Sequence, residues 1–236
     1  MNTYQITRYG HTFTLKADDE LMEAHYRKGE LSEPHMLDWM YLNLPRGGVW
    51  IDAGANIGNH TLPFALWADQ VIAFEPMDVN VDLLMQNMAA FKVEGRGRIM
   101  VLSCGVGREE GFASAKVGGT GKNCQWELTP GDECEAGIPI AKIDNHVRDT
   151  DDVRVIKLDV EGMEQDALAG AMGTIARCLP ELFIEIWDEA ILADITATLA
   201  PLGYVLTERY NVSPTFHFSA SGRYPVTYTP AARLRP

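Results

Sequence analysis

The chain has 236 residues, 46% of them apolar, and a formal net charge of −13. That supports one large domain, or one domain with an appendage, and excludes collagenous, low-complexity and disordered classes. The acidity opposes a nucleic-acid partner, because a phosphate backbone calls for a basic face, and the pairs Arg96/Arg98 and Arg233/Arg235 are only small basic patches.

The N-terminus "MNTYQITRYG" lacks the apolar core of a signal peptide. No apolar run nears the roughly 18–20 residues of a membrane span. The sequence therefore reads as cytoplasmic, with no membrane partner. Cys104, Cys124, Cys134 and Cys178 form no CxxC pair, so a zinc ribbon is not expected and all four read as thiols. Nothing in the sequence fixes the oligomeric state.

In chain order, "YQITRYGHTFTL" predicts a hairpin turning near Gly10. "DDELMEAHYRKG" predicts a short helix ending at Gly29. In "LSEPHMLDWMYLNLP", Ser32 suits an N-cap and Pro34 the first turn; Met36, Trp39, Met40 and Leu44 share a face, and Pro45 stops the helix. Residues 1–46 thus read as a small N-terminal appendage. From 47 to 236 the pattern changes. The short apolar runs "VWIDA", "VIAFE", "RIMVLSC", "VRVIKLD" and "LFIEIW" read as strands, and most are followed by helical patterns. One such pattern is the single long helix "MEQDALAGAMGTIARC". This alternation predicts a mostly parallel α/β sheet. "YVLTERY" and "TFHFSA" read as an antiparallel pair at its edge. The Gly-rich stretch from about 111 to 139 reads as an inserted loop or lid.

The strand "VWIDA" ends at Asp52, and the next turn reads "GANIG", Gly54 to Gly58. Ligands of open α/β sheets sit at the carboxyl ends of strands. A dinucleotide cradle needs G-x-G-x-x-G; here the spacing is G-x-x-x-G, with Asn56 inside it. Glu75 closes the following strand 23 residues after Asp52, where an acid can accept ribose hydroxyls. A ribose reader without a pyrophosphate cradle suggests S-adenosylmethionine.

"IDAGANIGNHTLPFA", "VIAFEP", "VIKLDVEGMEQDALAGA" and "LPELFIEIW" together resemble the FkbM family of S-adenosylmethionine-dependent methyltransferases. The resemblance runs from about Glu33 to Trp187. It implies the class I methyltransferase (Rossmann-like) fold, a seven-stranded mostly parallel sheet with helices on both faces and an antiparallel last strand. It also implies methyl transfer to a hydroxyl of a small molecule or sugar-containing metabolite. By the same resemblance, Asp52, Gly54, Asn56, Gly58, Glu75 and Pro76 belong to the cofactor site. Cys104 and Gly105, in "LSCGVG", fall where such folds line the adenine. Asp159, Glu161 and Gly162 match the family's "DvEG" signature, and His60 its "GNHT".

Alternation along "VIKLDVEG" puts Lys157, Asp159 and Glu161 on one side. A lysine in a buried parallel strand needs a partner. The implied strand order offers Glu185 of the neighbouring strand. Displacement at a sulfonium demands an aligned acceptor, and an alcohol must also lose a proton. Asp159 and Glu161 are the first candidates to take it, with Lys157 as tuner or alternative base. Asp159 also faces the cofactor. No His-rich or EF-hand spacing supports a metal, and none is expected. The competing readings are a nucleic-acid 2′-O-methyltransferase, a non-catalytic S-adenosylmethionine-binding protein and an NAD-dependent oxidoreductase.

Overall fold

The computed structural model describes residues 2–117, 124–129, 137–220 and 222–228. The chain opens with the hairpin β1 (Asn2–Arg8) and β2 (His11–Ala17). Its turn residues Tyr9 and Gly10 both have positive φ, 54° and 78°, which suits the twist of a two-residue hairpin. Helix α1 (Glu20–Tyr26) is capped by Asp19, which accepts from the Leu21 and Met22 amides. Helix α2 (Pro34–Asn43) follows. Its N-cap is Glu33, in the left-handed conformation and without a side-chain capping bond, and not Ser32 as the sequence suggested. The Ser32 backbone is held instead by Asn59, which accepts from its N–H at 2.8 Å and donates to its C=O at 3.0 Å.

The central elements are β3 (Val49–Ala53), α3 (Thr61–Trp67), β4 (Gln70–Phe74), α4 (Asp78–Ala90) and β5 (Arg98–Leu102). After an insertion come β10 (Val153–Leu158), α5 (Glu164–Gly170), α6 (Met172–Cys178), β11 (Glu181–Glu185), α7 (Glu189–Leu199), β12 (Tyr204–Tyr210) and β13 (Thr215–Ala220). Among the described residues, seven strands form one sheet in the order β12-β13-β11-β10-β3-β4-β5. β13 runs antiparallel to both its neighbours, and β11, β10, β3, β4 and β5 pair in parallel. This is the class I methyltransferase fold that the strand–helix alternation and the resemblance predicted.

Two features depart from the sequence reading. The long helix expected after "DVEG" breaks at Ala171 into α5 and α6. Gly170 lies against backbone there: a Cβ on it would stand 2.0 Å from the Gly107 carbonyl oxygen. The stretch from about 111 to 139 is not all loop. Gly111–Val117 (β7) and Cys124–Thr129 (β8) pair antiparallel, and Ile138–Ala141 (β9) joins β7 to Gly105–Val106 (β6) in a four-stranded sheet. Residues 118–123 and 130–136, with Cys134 among them, lie outside the described residues. Cys104 and Cys178 are free thiols.

Alternation in the sheet builds two apolar layers. One face, with Ile51, Ile72, Ile156 and Ile184, packs against Leu168 and Ile175 of α5 and α6 and Leu199 of α7. The other, with Trp50, Val71, Val155 and Phe183, is covered by α3 and by Ile6, Phe13, Met36 and Met40 of the N-terminal segment. Residues on both sides of position 46 therefore share one core. Asn87 of α4 ties the segment down, bonding both backbone groups of Lys16 and donating to the Ile57 carbonyl of the glycine turn at 2.9 Å.

Candidate active site

A cavity of about 630 Å³ opens at the carboxyl ends of β3, β4 and β10. Its lining includes the turn after β3 and Glu75 to Met77. Gly54 has φ 81°, and a Cβ there would lie 1.7 Å from the Asp159 carbonyl oxygen. Only glycine allows the two loops to meet so closely. Asn56 is left-handed at φ 49°, a conformation asparagine tolerates better than most residues.

Glu75 is buried on the cavity wall. It accepts from the Asn56 amide at 2.8 Å, the Met77 amide at 3.0 Å and Asn80 Nδ2 at 3.0 Å. Burial raises its pKa, opposed by these three donors. A carboxylate has about four acceptor positions, so capacity remains for a ribose hydroxyl. Pro76 and Gly105 line the same cavity.

Three expected cofactor residues stand behind the wall rather than on it. Asp52 is fully buried, accepting from the Thr61 hydroxyl at 2.6 Å and facing Lys157 Nζ at 3.5 Å. Gly58 has φ 97°, and a Cβ there would stand 2.7 Å from Leu84 Cδ1, so it serves turn geometry. Cys104 packs against the core, and burial, then Glu110, pushes its thiol up to about 11.

Asp159, Glu161 and Glu185 also line the cavity. Lys157 lies deeper, with its Nζ 3.1 Å from Asp159 and 3.5 Å from Asp52. The expected partner was Glu185. The register instead sets Lys157 opposite Asp52 on one side and Phe183 on the other. Burial disfavours the charge on Lys157, but Asp159 and Asp52 outweigh it and raise its pKa. The amine is therefore a fixed cation and not a base. Burial also works against charge on Asp159, but Lys157 and a hydrogen bond with Glu185 outweigh it and hold Asp159 low. Glu185 moves the opposite way: burial first, then Asp159, push it up to about 9. The shared environment thus favours the ionised form of Asp159 and the protonated form of Glu185.

Glu161 is left-handed at φ 54° and exposed at the cavity mouth. Partial burial of its carboxyl, followed by the charges of Asp159 and Glu164, pushes it up to about 7. His60 and Glu33, which the sequence did not assign together, face each other on the wall with Nε2 and Oε2 3.0 Å apart. Glu33, Ser32 and Ser213 were not legible as site residues. The one available signal was Pro34 after an acidic residue, which fixes the chain direction entering α2. Among the described residues, no group of three His, Cys, Asp or Glu side chains is arranged to hold a metal.

A sequence profile of the FkbM methyltransferase domain matches residues 52–206. The chain belongs to the FkbM methyltransferase family. An FkbM methyltransferase structure from Methylobacillus flagellatus KT is 22% identical, with a TM-score of 0.56 over 73% of this chain and 43% of that one. The present chain therefore spans less than half of that relative. Magnesium protoporphyrin IX methyltransferase of Synechocystis PCC 6803, solved with S-adenosylmethionine, is 16% identical over 87% of this chain and 86% of that one, at TM-score 0.49. An rRNA methylase from Streptococcus thermophilus is 14% identical over 78% and 92%, at TM-score 0.47. No curated protein matches the sequence. The cofactor of FkbM methyltransferases is S-adenosylmethionine, and the site fits it: Glu75 keeps acceptor capacity for a ribose, and Gly54 to Asn56 offer backbone beside it. No helix among the described residues is long and apolar enough to cross a membrane.

Proposed function

We propose that this FkbM chain transfers a methyl group from S-adenosylmethionine to a hydroxyl of a small molecule or sugar-containing metabolite. The observation that carries this is one cavity lined both by a ribose-reading carboxylate, Glu75, beside the glycine turn and by the carboxyl groups of Asp159, Glu161 and Glu185. The bound cofactor supplies an electrophilic methyl group. Gly54 to Asn56, Glu75, Pro76 and Gly105 hold it, and Asp159 borders the reacting end.

The chain's own contribution is alignment and proton removal. A general base works best with a pKa near the working pH. Glu161, at about 7, meets that condition. Asp159, held low by Lys157, is the weaker base and suits orienting the acceptor through a hydrogen bond. Lys157 acts through Asp159 and does not reach the cavity.

A nucleic-acid 2′-O-methyltransferase is the second reading, but the −13 charge and the carboxylate-lined cavity oppose a phosphate-rich substrate. The test is transfer from methyl-labelled S-adenosylmethionine to a metabolite extract, with mass spectrometry of the product. Glu161→Gln should lower single-turnover rate by about 10²–10⁴-fold while retaining S-adenosylhomocysteine binding. A Glu161→Gln chain with near-normal turnover removes Glu161 from the base role.

A further inference from the structure

Glu33 and His60 bring two parts of the chain together at the cavity. Glu33 is the N-cap of α2 and lies outside the residues 52–206 that match the family profile, whereas His60 is the N-cap of α3, directly after the glycine turn. Glu33 Oε2 and His60 Nε2 are paired at 3.0 Å, with side chains only 13% and 9% exposed. Asn59 fixes this approach by holding both backbone groups of Ser32. Resting on the methyl-transfer reading above, we propose that His60 selects the acceptor: its Nδ1 accepts a hydrogen bond from a second hydroxyl, apart from the one methylated, and Glu33 positions the ring.

A neutral imidazole carries one N–H and one lone pair. A carboxylate only accepts, so Glu33 draws the hydrogen to Nε2 and leaves the lone pair on Nδ1. Nδ1 makes no hydrogen bond among the described residues and is not a buried atom. His60 lines the cavity, so Nδ1 opens into it. There it takes a hydrogen and offers none, which favours a hydroxyl over a carbonyl, carboxylate or phosphate oxygen. The Ser213 hydroxyl lies 3.5 Å from Glu33 Oε1, and the adjoining Pro214 carbonyl accepts from the amide of Ile186, next to Glu185. The pair therefore stands beside the strand end that carries Glu185. Displacement at a sulfonium needs the acceptor held in line. A hydroxyl held by one carboxylate still turns about that contact, and a second contact on a fixed ring stops the turning.

The test uses the wild-type chain, methyl-labelled S-adenosylmethionine and a cell metabolite extract. Acetylation of the labelled product should add at least one O-acetyl group by mass spectrometry. A product that takes up none has no second hydroxyl, which overturns the inference and leaves methyl transfer standing. With the extract fraction that takes label, His60→Ala should raise KM roughly tenfold, the worth of one hydrogen bond, at unchanged S-adenosylhomocysteine affinity. In a chain isotopically labelled at its histidine ring nitrogens, magnetic resonance should show the hydrogen of His60 on Nε2, the signal being assigned by its loss in His60→Gln. The same fraction should shift the Nδ1 resonance. Glu33→Gln, whose amide donates as well as accepts, should lose the single tautomer and raise KM, and Glu33→Asp should restore part of both. An Nδ1 resonance that the fraction leaves in place, or a folded His60→Ala chain with wild-type KM, makes the pair purely structural and overturns the inference. Label in no compound, from a chain that binds S-adenosylhomocysteine, overturns the transferase reading and this inference with it.

Discussion

The Asp159 carbonyl oxygen occupies the space a side chain at Gly54 would need, 1.7 Å from the position of its Cβ. The Asp159 amide in turn donates to the Ala53 carbonyl at 3.1 Å, so the turns after β3 and β10 are locked edge to edge. Gly54→Ala adds a methyl group to a left-handed position and forces the two apart. It should lower the melting temperature and abolish S-adenosylhomocysteine binding by calorimetry. A variant with wild-type melting and affinity removes this contact from cofactor binding.

Glu75 holds Asn56, Met77 and Asn80, and in the proposed function it also receives the ribose. Glu75→Ala should weaken S-adenosylhomocysteine binding by about 1.5–3 kcal/mol, the range for hydrogen bonds to a charged group. Unchanged affinity in a folded Glu75→Ala chain refutes the assignment.

Lys157 neutralises two carboxylates, one of them fully buried. Lys157→Met should therefore destabilise the fold by roughly 3–5 kcal/mol, the cost of breaking a buried pair from one side. The second-site change that recovers stability should be Asp52→Asn, since Asp52 is the group left stranded. Recovery by Glu185→Leu instead would mean that the lysine answers to Glu185. Urea melts of the two double variants separate these outcomes.

Glu185 gives stability a pH dependence whose sign follows from its raised pKa. An ordinary glutamate near 4.5 releases its proton in the unfolded chain long before the folded one does at about 9. The folded state thus binds more protons between those values, and the contribution of Glu185 is full below the lower value and lost progressively as pH rises toward the upper one. Glu185→Gln should remove that slope, so its stability relative to wild type should grow from about pH 5 to 8. Parallel curves across that window would show Glu185 ionised in the native chain. Turnover should rise separately with pH through about 7 as Glu161 loses its proton, and Glu161→Gln should flatten that rise.

Ile138 and Ile140, at the end of the insertion, line the cavity. We propose that the described strands of the insertion, Gly111–Val117, Cys124–Thr129 and Ile138–Ala141, close over the acceptor. Hydrogen exchange there should slow when S-adenosylhomocysteine and acceptor bind together. Full protection without ligands rules out a closing role.

The strand pattern was legible because buried parallel strands write themselves as short apolar runs, and "VWIDA", "VIAFE" and "VRVIKLD" all proved to be neighbours in the central sheet. The glycine turn and Glu75 were equally legible, since strand ends and positive φ demand particular residue types. The close approach of Gly170 to the Gly107 backbone, beside the helix break at Ala171, was not, because it joins residues distant in sequence.

The sequence by itself determined the α/β class, the ends of the strands and the types of residue that gather there. Local periodicity and turn chemistry are properties of neighbouring residues, so no partner strand is needed to read them. Only the tertiary structure decided that Lys157 serves Asp52 and Asp159, that Asp52 stands behind the wall, and that Glu33 and His60 meet on it. Those relationships depend on strand register and on how the N-terminal segment covers the sheet. A one-residue change of register turns every side chain to the opposite face, so pairing across strands is fixed only when the whole core packs.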